Sequence, residues 1–270
     1  KRVDEHKKIQ GRIFSVTNVS KAFVFIIGGF LFSIDPKLPA IASLPLMILA
    51  FILTFFLVEP YESRKKLNIK NAVRHLKEGV AYCWQHKYLK YLILSSIPVA
   101  TIIYIMYSIS SSYFENILDP VSFMGLLAFL SSMVSAYISK EAHNFERRLG
   151  EAKSLMLIRV ITVMAAFMMA ILIPYVGVLF YFLIPLADGF FFVLMDNYVN
   201  THATTSHRTT ILSVKNMFNE LGIFLLFPIV GYLIKYKSMS FSFTSLGIFF
   251  VVYTAILLFY SRRLSLKSVA

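Results

Sequence analysis

Long apolar segments separated by short polar ones dominate the pattern of this chain. A helix needs about 20 consecutive apolar residues to cross the hydrocarbon core of a bilayer. Segments of that kind predict spans at 16–34, 38–58, 91–114, 121–139, 209–234 and 238–261, with two more inside 154–199. The segment 154–199 needs two spans because a single helix of that length would measure roughly 69 Å, and Pro174 provides the turn signal between them. The pattern therefore predicts an all-α, polytopic transmembrane helical bundle with about eight spans.

The composition excludes a water-soluble domain. Hydrophobic residues make up 57% of the 270 positions and charged residues 15%, whereas a soluble domain carries about 25% charged residues. The net charge of +13 would indicate nucleic-acid binding in a soluble protein. In a membrane protein the basic residues collect in cytoplasmic connectors, so we expect the lipid bilayer as a partner and no nucleic acid. The one cysteine, Cys83, lies in a polar connector and cannot form an intramolecular disulfide.

The distribution of lysine and arginine predicts the orientation of the spans. If the spans alternate in direction, the connectors fall into two groups, which hold about 21 and three of the 27 basic residues. The basic group comprises 1–12, 59–90, 140–153, 200–208 and 262–270, and the other comprises the turns near Asp35, Glu115, Pro174 and Lys235. Basic residues accumulate on the cytoplasmic side. We therefore predict a multi-pass protein of the cell membrane with both termini in the cytoplasm.

The connector 59–90 is the one long polar segment between predicted spans. From Leu67 to Trp84 its apolar residues recur at helical spacing with basic residues between them. This pattern is typical of an amphipathic helix at a membrane surface, and we predict one on the cytoplasmic face. A calmodulin-type target helix, which shares the pattern, is the alternative.

Two spans, a long cytoplasmic connector and six further spans resemble the major facilitator superfamily without its first four helices. A short internal repeat supports the resemblance, which would match the family's fifth and eleventh helices. The first span opens on Gly11-Arg12 followed by Asn18, and the seventh opens on Arg208 followed by Asn216. Both segments then reach glycine, as expected where the two halves of a transporter are related.

The resemblance implies how the chain divides. Residues 1–58 would be the last two helices of the N-terminal half, 59–90 the connector, and 91–270 the C-terminal six-helix half. The chain would then be a fragment covering the family's fifth to twelfth helices, as its start at Lys1 also indicates. The missing N-terminal helices of the same protein are an expected partner, and we expect the fragment alone not to transport.

A second resemblance lies in the connector after the fourth span. Its segment Phe145-Glu146-Arg147-Arg148-Leu149-Gly150 resembles a degenerate form of the family's basic loop motif. The Gly and Asp that begin the full motif are absent, and Gly28-Gly29 is followed by Phe30 rather than by the proline of the antiporter signature. No motif therefore supports export by proton exchange. The loop-motif candidates are Arg12, Glu146, Arg147, Arg148, Gly150 and Arg208.

Ionisable residues inside spans are the main functional signal, because a charge at the bilayer centre usually faces a cavity or a partner. Asp188 lies near the middle of the sixth span and Glu220 near the middle of the seventh. Asn216 lies one turn before Glu220 on the same helical face. We interpret these residues as a cavity-lining site for substrate or protons. The alternative is a structural pair or a protonated carboxyl buried between helices.

Further polar residues extend this set. Lys21 lies about two turns inside the first span, where a partner carboxylate is expected. Tyr104 and Tyr107 lie in the third span, beside serines that can line a cavity or pack helices closely. Lys215, Asp196 and Arg159 lie nearer the cytoplasmic edge, where we expect them to extend towards the interface or to pair locally.

These features favour secondary active transport of a small solute by alternating access, with protons as a candidate coupling ion. A membrane-embedded enzyme would need clustered catalytic residues, and no catalytic spacing, metal-ligand set or cofactor motif is visible. The six histidines lie in predicted connectors. A non-transporting scaffold would not need Asp188 and Glu220 inside spans. The enzyme and the scaffold remain the alternatives.

Overall fold

The computed structural model describes residues 2–57, 69–115, 122–171, 176–203 and 208–263, which are helical almost throughout and contain no strand. The helices are α1 (Arg2–Ile34), α2 (Leu38–Thr54), α3 (Ile69–Gln85), α4 (Lys87–Ser108), α5 (Ser110–Glu115), α6 (Ser122–Leu149), α7 (Glu151–Met169), α8 (Val176–Tyr181), α9 (Leu183–His202), α10 (Arg208–Tyr236) and α11 (Met239–Arg263).

Seven of the described helices or helix pairs are long and apolar enough to cross a membrane. The predicted second span corresponds to α2, which is equally apolar but has 17 residues. The predicted turn at Pro174 lies outside the described residues, although α7 ends at Met169 and α8 begins at Val176 on either side of it. The prediction of an all-α, multi-pass bundle is confirmed.

Most of the predicted connector 140–153 is helical, because α6 continues into it as far as Leu149. Leaving the membrane does not require the chain to leave the helix, and Glu, Arg and Leu favour helix. A hydrogen bond from Asn144 to Glu141 of 2.7 Å supports this extension. The connection to α7 is then Gly150 alone, whose φ of 80° is positive, a conformation that glycine adopts readily because it has no Cβ.

Two predicted spans are each divided by a short break. The third becomes α4 and α5, separated at Ile109, where the serines that follow compete for backbone hydrogen bonds. Ser110 makes such a bond, of 2.7 Å, to the carbonyl of Tyr107. The sixth becomes α8 and α9, separated at Phe182. Both breaks lie at the end of the bundle opposite the basic connectors.

The amphipathic helix predicted in the connector is α3, and it packs against α10 and α4. The Trp84 ring lies 4.9 Å from the Phe218 ring, and Gly79 allows close approach to Thr210. Cys83 on this helix is fully buried, so it does not lie on the polar side of the connector. The connector has an apolar face because one side of it covers the bundle.

The packing of α1 against α6 and α9 positions the site. α1 runs along α6 for most of its length, and α6 in turn packs on α9. Glycines allow the close approach: a Cβ at Gly29 would lie 2.9 Å from the Cα of Gly125, and a Cβ at Gly11 would lie 2.8 Å from the carbonyl oxygen of Ser139. Such contacts between small residues hold membrane helices together.

Candidate functional site

A polar cavity of about 360 Å³ lies between α1, α4, α6 and α9. Ten of its lining residues are polar or charged, which is unusual inside an apolar bundle and favours a ligand site. The lining comprises Asn18, Lys21, Phe25, Ile103, Tyr104, Tyr107, Ser110, Ala128, Ser131, Ser132, Ser135, Tyr181, Asp188 and Phe192.

Asp188 reaches this cavity because the next residue is glycine. A Cβ at position 189 would lie 2.8 Å from both Ile138 Cβ and the Ser135 carbonyl oxygen of α6. The absence of that atom lets α9 approach α6 closely and sets Asp188 beside the serine side chains. Ser139 donates a further hydrogen bond of 3.3 Å to the Gly189 carbonyl. The backbone near Asp188 is therefore held from α6.

A hydrogen-bond relay links three helices at the carboxylate. The amide of Asn18 donates to Ser135 Oγ at 3.0 Å, and Ser135 Oγ donates to Asp188 Oδ2 at 2.8 Å. Tyr107 on α4 also interacts with the Asp188 carboxylate. These partners fix the orientation of the side chain and leave it open to the cavity on its remaining side.

Lys21 brings the opposite charge into the same cavity from α1. Its charge acts on Asp188 through space, but no ion pair closer than 4 Å joins these two described residues. The ammonium and the carboxylate thus remain separated within one cavity. A solute with complementary charges or hydrogen-bonding groups can contact both.

A stacked aromatic pair lies beside the cavity on the side of the basic end of the bundle. The ring of Phe192, which lines the cavity, stacks on Phe14 of α1 at 6.1 Å. On the opposite side the cavity meets a second one of about 570 Å³. Phe25 and Tyr181 line both cavities, so the two are adjacent.

The two carboxylates that the sequence predicted for one site, Asp188 and Glu220, lie in different surroundings in the structure. Asp188 lines the polar cavity with Lys21, Tyr104 and Tyr107. Glu220 and Asn216 share a face of α10, as predicted, but this face is exposed and lines neither of the two cavities.

Lys215 and Asp196 form an ion pair between α10 and α9, which agrees with the expectation that they pair locally. The Lys215 side chain is only 1% exposed, so it does not extend to the interface. The same prediction for Arg159 is wrong, because Arg159 is 4% exposed and donates hydrogen bonds of 2.6 Å to Tyr91 and Ser95 on α4. Hydroxyl acceptors inside the bundle replace water for this guanidinium.

The loop-motif candidates lie at the basic end, away from the cavity. Arg147 and Arg148 are exposed in the last turn of α6, and Arg12 is exposed on α1. Glu146 faces His143 at 3.7 Å. Gly150 forms the junction described above, and Arg208 is half-buried at the start of α10.

Sequence reasoning missed the serine face of α6. Ser131 and Ser135 line the cavity and Ser139 braces the backbone beside it. Their spacing of four residues places them on one helical face, and this periodic signal could have been found in the sequence. Asn18 was noticed only as part of the internal repeat.

Within the described residues, no group of three or more His, Cys, Asp or Glu side chains could hold a metal ion. The arrangement offers charge and hydrogen-bond complementarity to a bound solute. A sequence profile of the Major Facilitator Superfamily matches residues 2–226. No curated protein matches the chain.

Proposed function

We propose a transport mechanism for this chain, which belongs to the Major Facilitator Superfamily and is accordingly a multi-pass membrane protein of solute transport. It performs secondary active transport of a small solute by alternating access, with the solute held between Lys21 and Asp188. The observation that carries the proposal is the polar cavity in which these opposite charges lie apart. An unpaired charge inside a bundle is costly unless it faces a ligand or water.

The cavity lies between segments that could move relative to each other during transport. Lys21 lies on α1, before the connector helix α3, whereas Asp188 lies on α9, after it. If the segments before and after α3 belong to different halves, rocking of one half against the other changes the access to a solute held between them. The contact of Phe14 with Phe192 would then be a closure that opens towards the basic end.

The proposal includes four further helices from the same protein that complete the cavity. α2 has no buried residue and packs chiefly against α1, whose outer face is also largely exposed. Helices from the missing part of the N-terminal half would cover these surfaces. Residues 1–270 alone would then bind the solute but not transport it. The orientation follows the basic connectors, with both termini in the cytoplasm of a cell whose plasma membrane holds the protein.

Asp188 also provides a route to proton coupling. A carboxyl group that alternately faces two aqueous sides can take up a proton on one side and release it on the other. Ser135 can donate a hydrogen bond to the ionised carboxylate, or accept one from its protonated form. The solute and the proton would then compete for the same group.

The test is a binding screen on the purified chain in lipid nanodiscs. Solutes that raise its melting temperature are retested with Asp188→Asn, Lys21→Gln and, as a control outside the cavity, Glu220→Gln. We expect the first two variants to lose the stabilisation by solute and the control to retain it. Solutes that stabilise the wild type and Asp188→Asn equally would refute the site.

A further inference from the structure

The polar cavity adjoins a second, largely apolar chamber that the proposed site does not use. This chamber has a volume of about 570 Å³ and lies further along α1, away from the basic end. Val24, Gly28 and Phe32 line it from α1, and Phe114 and Met124 line it from α5 and α6. Its polar lining residues are Ser110, Ser111, Glu115 and Tyr181. Ser110 and Ala128 line both spaces, so the two lie side by side.

Polarity changes sharply along the shared wall of α1. Asn18 and Lys21 face the polar cavity, whereas Gly28 and Phe32 face the apolar chamber. The distance along the helix from Lys21 to Phe32 is about 17 Å. A solute that fills both spaces must therefore change from polar to apolar over that length.

We propose that the solute is an amphipathic molecule with a dipolar head and an apolar tail, an inference that rests on the proposed function and specifies its substrate class. The head binds between Lys21 and Asp188, and the tail lies in the apolar chamber. A head with a single charge would complement only one of the two opposite charges that line the polar cavity. A wholly polar solute would leave the apolar chamber unfilled. Each methylene that is buried there strengthens binding about fourfold.

Gly28 gives a direct test of the tail. An added Cβ at this position would meet no atom within 4 Å, so a larger side chain can project into the chamber without a clash. Position 28 lies about 10 Å along the helix from Lys21, which is beyond a short tail and within reach of a long one. Gly231 on α10 is equally open but lines neither space, and it serves as the matched control.

The experiment uses alkyl betaines, whose dimethylglycine head is a fixed zwitterion, with hexyl and decyl tails. Binding to the chain in nanodiscs is measured by equilibrium dialysis against empty nanodiscs. We expect the decyl compound to bind wild type more than about tenfold tighter than the hexyl compound. Gly28→Leu should weaken only the decyl compound, Gly28→Ala should do so less, and Gly231→Leu should match wild type. Equal binding of both compounds, or an equal loss in Gly28→Leu, would overturn the tail assignment.

Decyl trimethylammonium and decanoate carry comparable tails on singly charged heads. We expect both to bind at least about tenfold more weakly than decyl betaine, since each leaves one charge uncompensated. Equal binding of the three would overturn the dipolar head.

Asp188→Asn separates this inference from the proposed function. Suppose that Asp188→Asn loses binding of both betaines, that the decyl compound binds wild type more tightly than the hexyl compound, and that Gly28→Leu weakens only the decyl compound. This result supports the proposed function and the amphipathic substrate together. Loss for both betaines without any dependence on tail length refutes the amphipathic substrate and retains the polar site. Unchanged binding of both betaines in Asp188→Asn refutes the polar site itself.

Discussion

The ion pair between Lys215 and Asp196 provides a stability test of the bundle interior. Lys215 is 1% exposed and Asp196 is 18% exposed, and the pair joins α10 to α9. Replacing Lys215 with methionine keeps the length of the side chain and removes its charge. The Asp196 carboxylate then stays inside the bundle without its counter-charge.

The expected cost follows from this burial. Removing one member of a buried ion pair destabilises a protein by about 3–5 kcal/mol, because the other charge is left uncompensated. Replacing both members with apolar residues of similar size is often neutral or stabilising. We therefore expect Lys215→Met to lower stability strongly and Lys215→Met/Asp196→Leu to recover most of the loss. Lys140→Met, at an exposed position of α6, should change stability by less than about 0.5 kcal/mol.

The assay is reversible unfolding in mixed micelles, followed by helical circular dichroism as the fraction of denaturing detergent rises. Free energies of unfolding are compared across the single variants, the double variant and the exposed control. The coupling energy from this cycle isolates the pair. A single variant no worse than Lys140→Met, or a double variant as unstable as the sum of both singles, would refute the burial argument.

Three further outcomes are expected. Gly29→Leu should lower the stability of the protein by about 1–3 kcal/mol, because the larger side chain overpacks the contact of α1 with α6. Gly28→Leu should not lower it, and thermal melting in detergent compares the two variants. Tyr91→Phe removes one hydrogen-bond acceptor from buried Arg159 and should cost about 1.5–3 kcal/mol, measured in the same unfolding assay; a loss below about 0.5 kcal/mol would contradict it. Burial raises the pKa of the Cys83 thiol to about 11, so the reactive thiolate is scarce at pH 7 and maleimide labelling should be slow until the chain is unfolded, and faster as the pH approaches 11. Labelling of the folded chain at pH 7 as rapid as that of a cysteine introduced at an exposed position of α3 would contradict this.

The membrane architecture could be predicted because lipid imposes it. Each crossing needs a long apolar helix, and the lengths of these helices are visible in the sequence. The end of α6 could not be read in the same way, since the charged segment up to Leu149 marks where the helix leaves the membrane and not where the helix ends. The buried face of α3 was likewise not visible, because its apolar residues fit either a membrane surface or a protein surface.

The site could be predicted only in part. Asp188 and Glu220 give the same signal in the sequence, a carboxyl inside an apolar span, yet only Asp188 lines the cavity. The difference comes from long-range packing: Gly189 brings α9 against α6, whereas Glu220 lies on the exposed face of α10. Such contacts between distant segments are not encoded in helical periodicity. The position of Ser135 on the cavity-facing side of α6 could have been predicted from the four-residue spacing of the serines.

Solute uptake tests the central claim most directly. The native protein that contains this chain is reconstituted into proteoliposomes, and the uptake of a stabilising solute is measured for wild type, Asp188→Asn and Glu220→Gln at equal reconstituted amounts. Gradient-driven uptake and solute exchange should both be lost in Asp188→Asn, because Asp188 holds the solute, and both should be retained in Glu220→Gln. Uptake in Asp188→Asn equal to that of wild type would contradict the account.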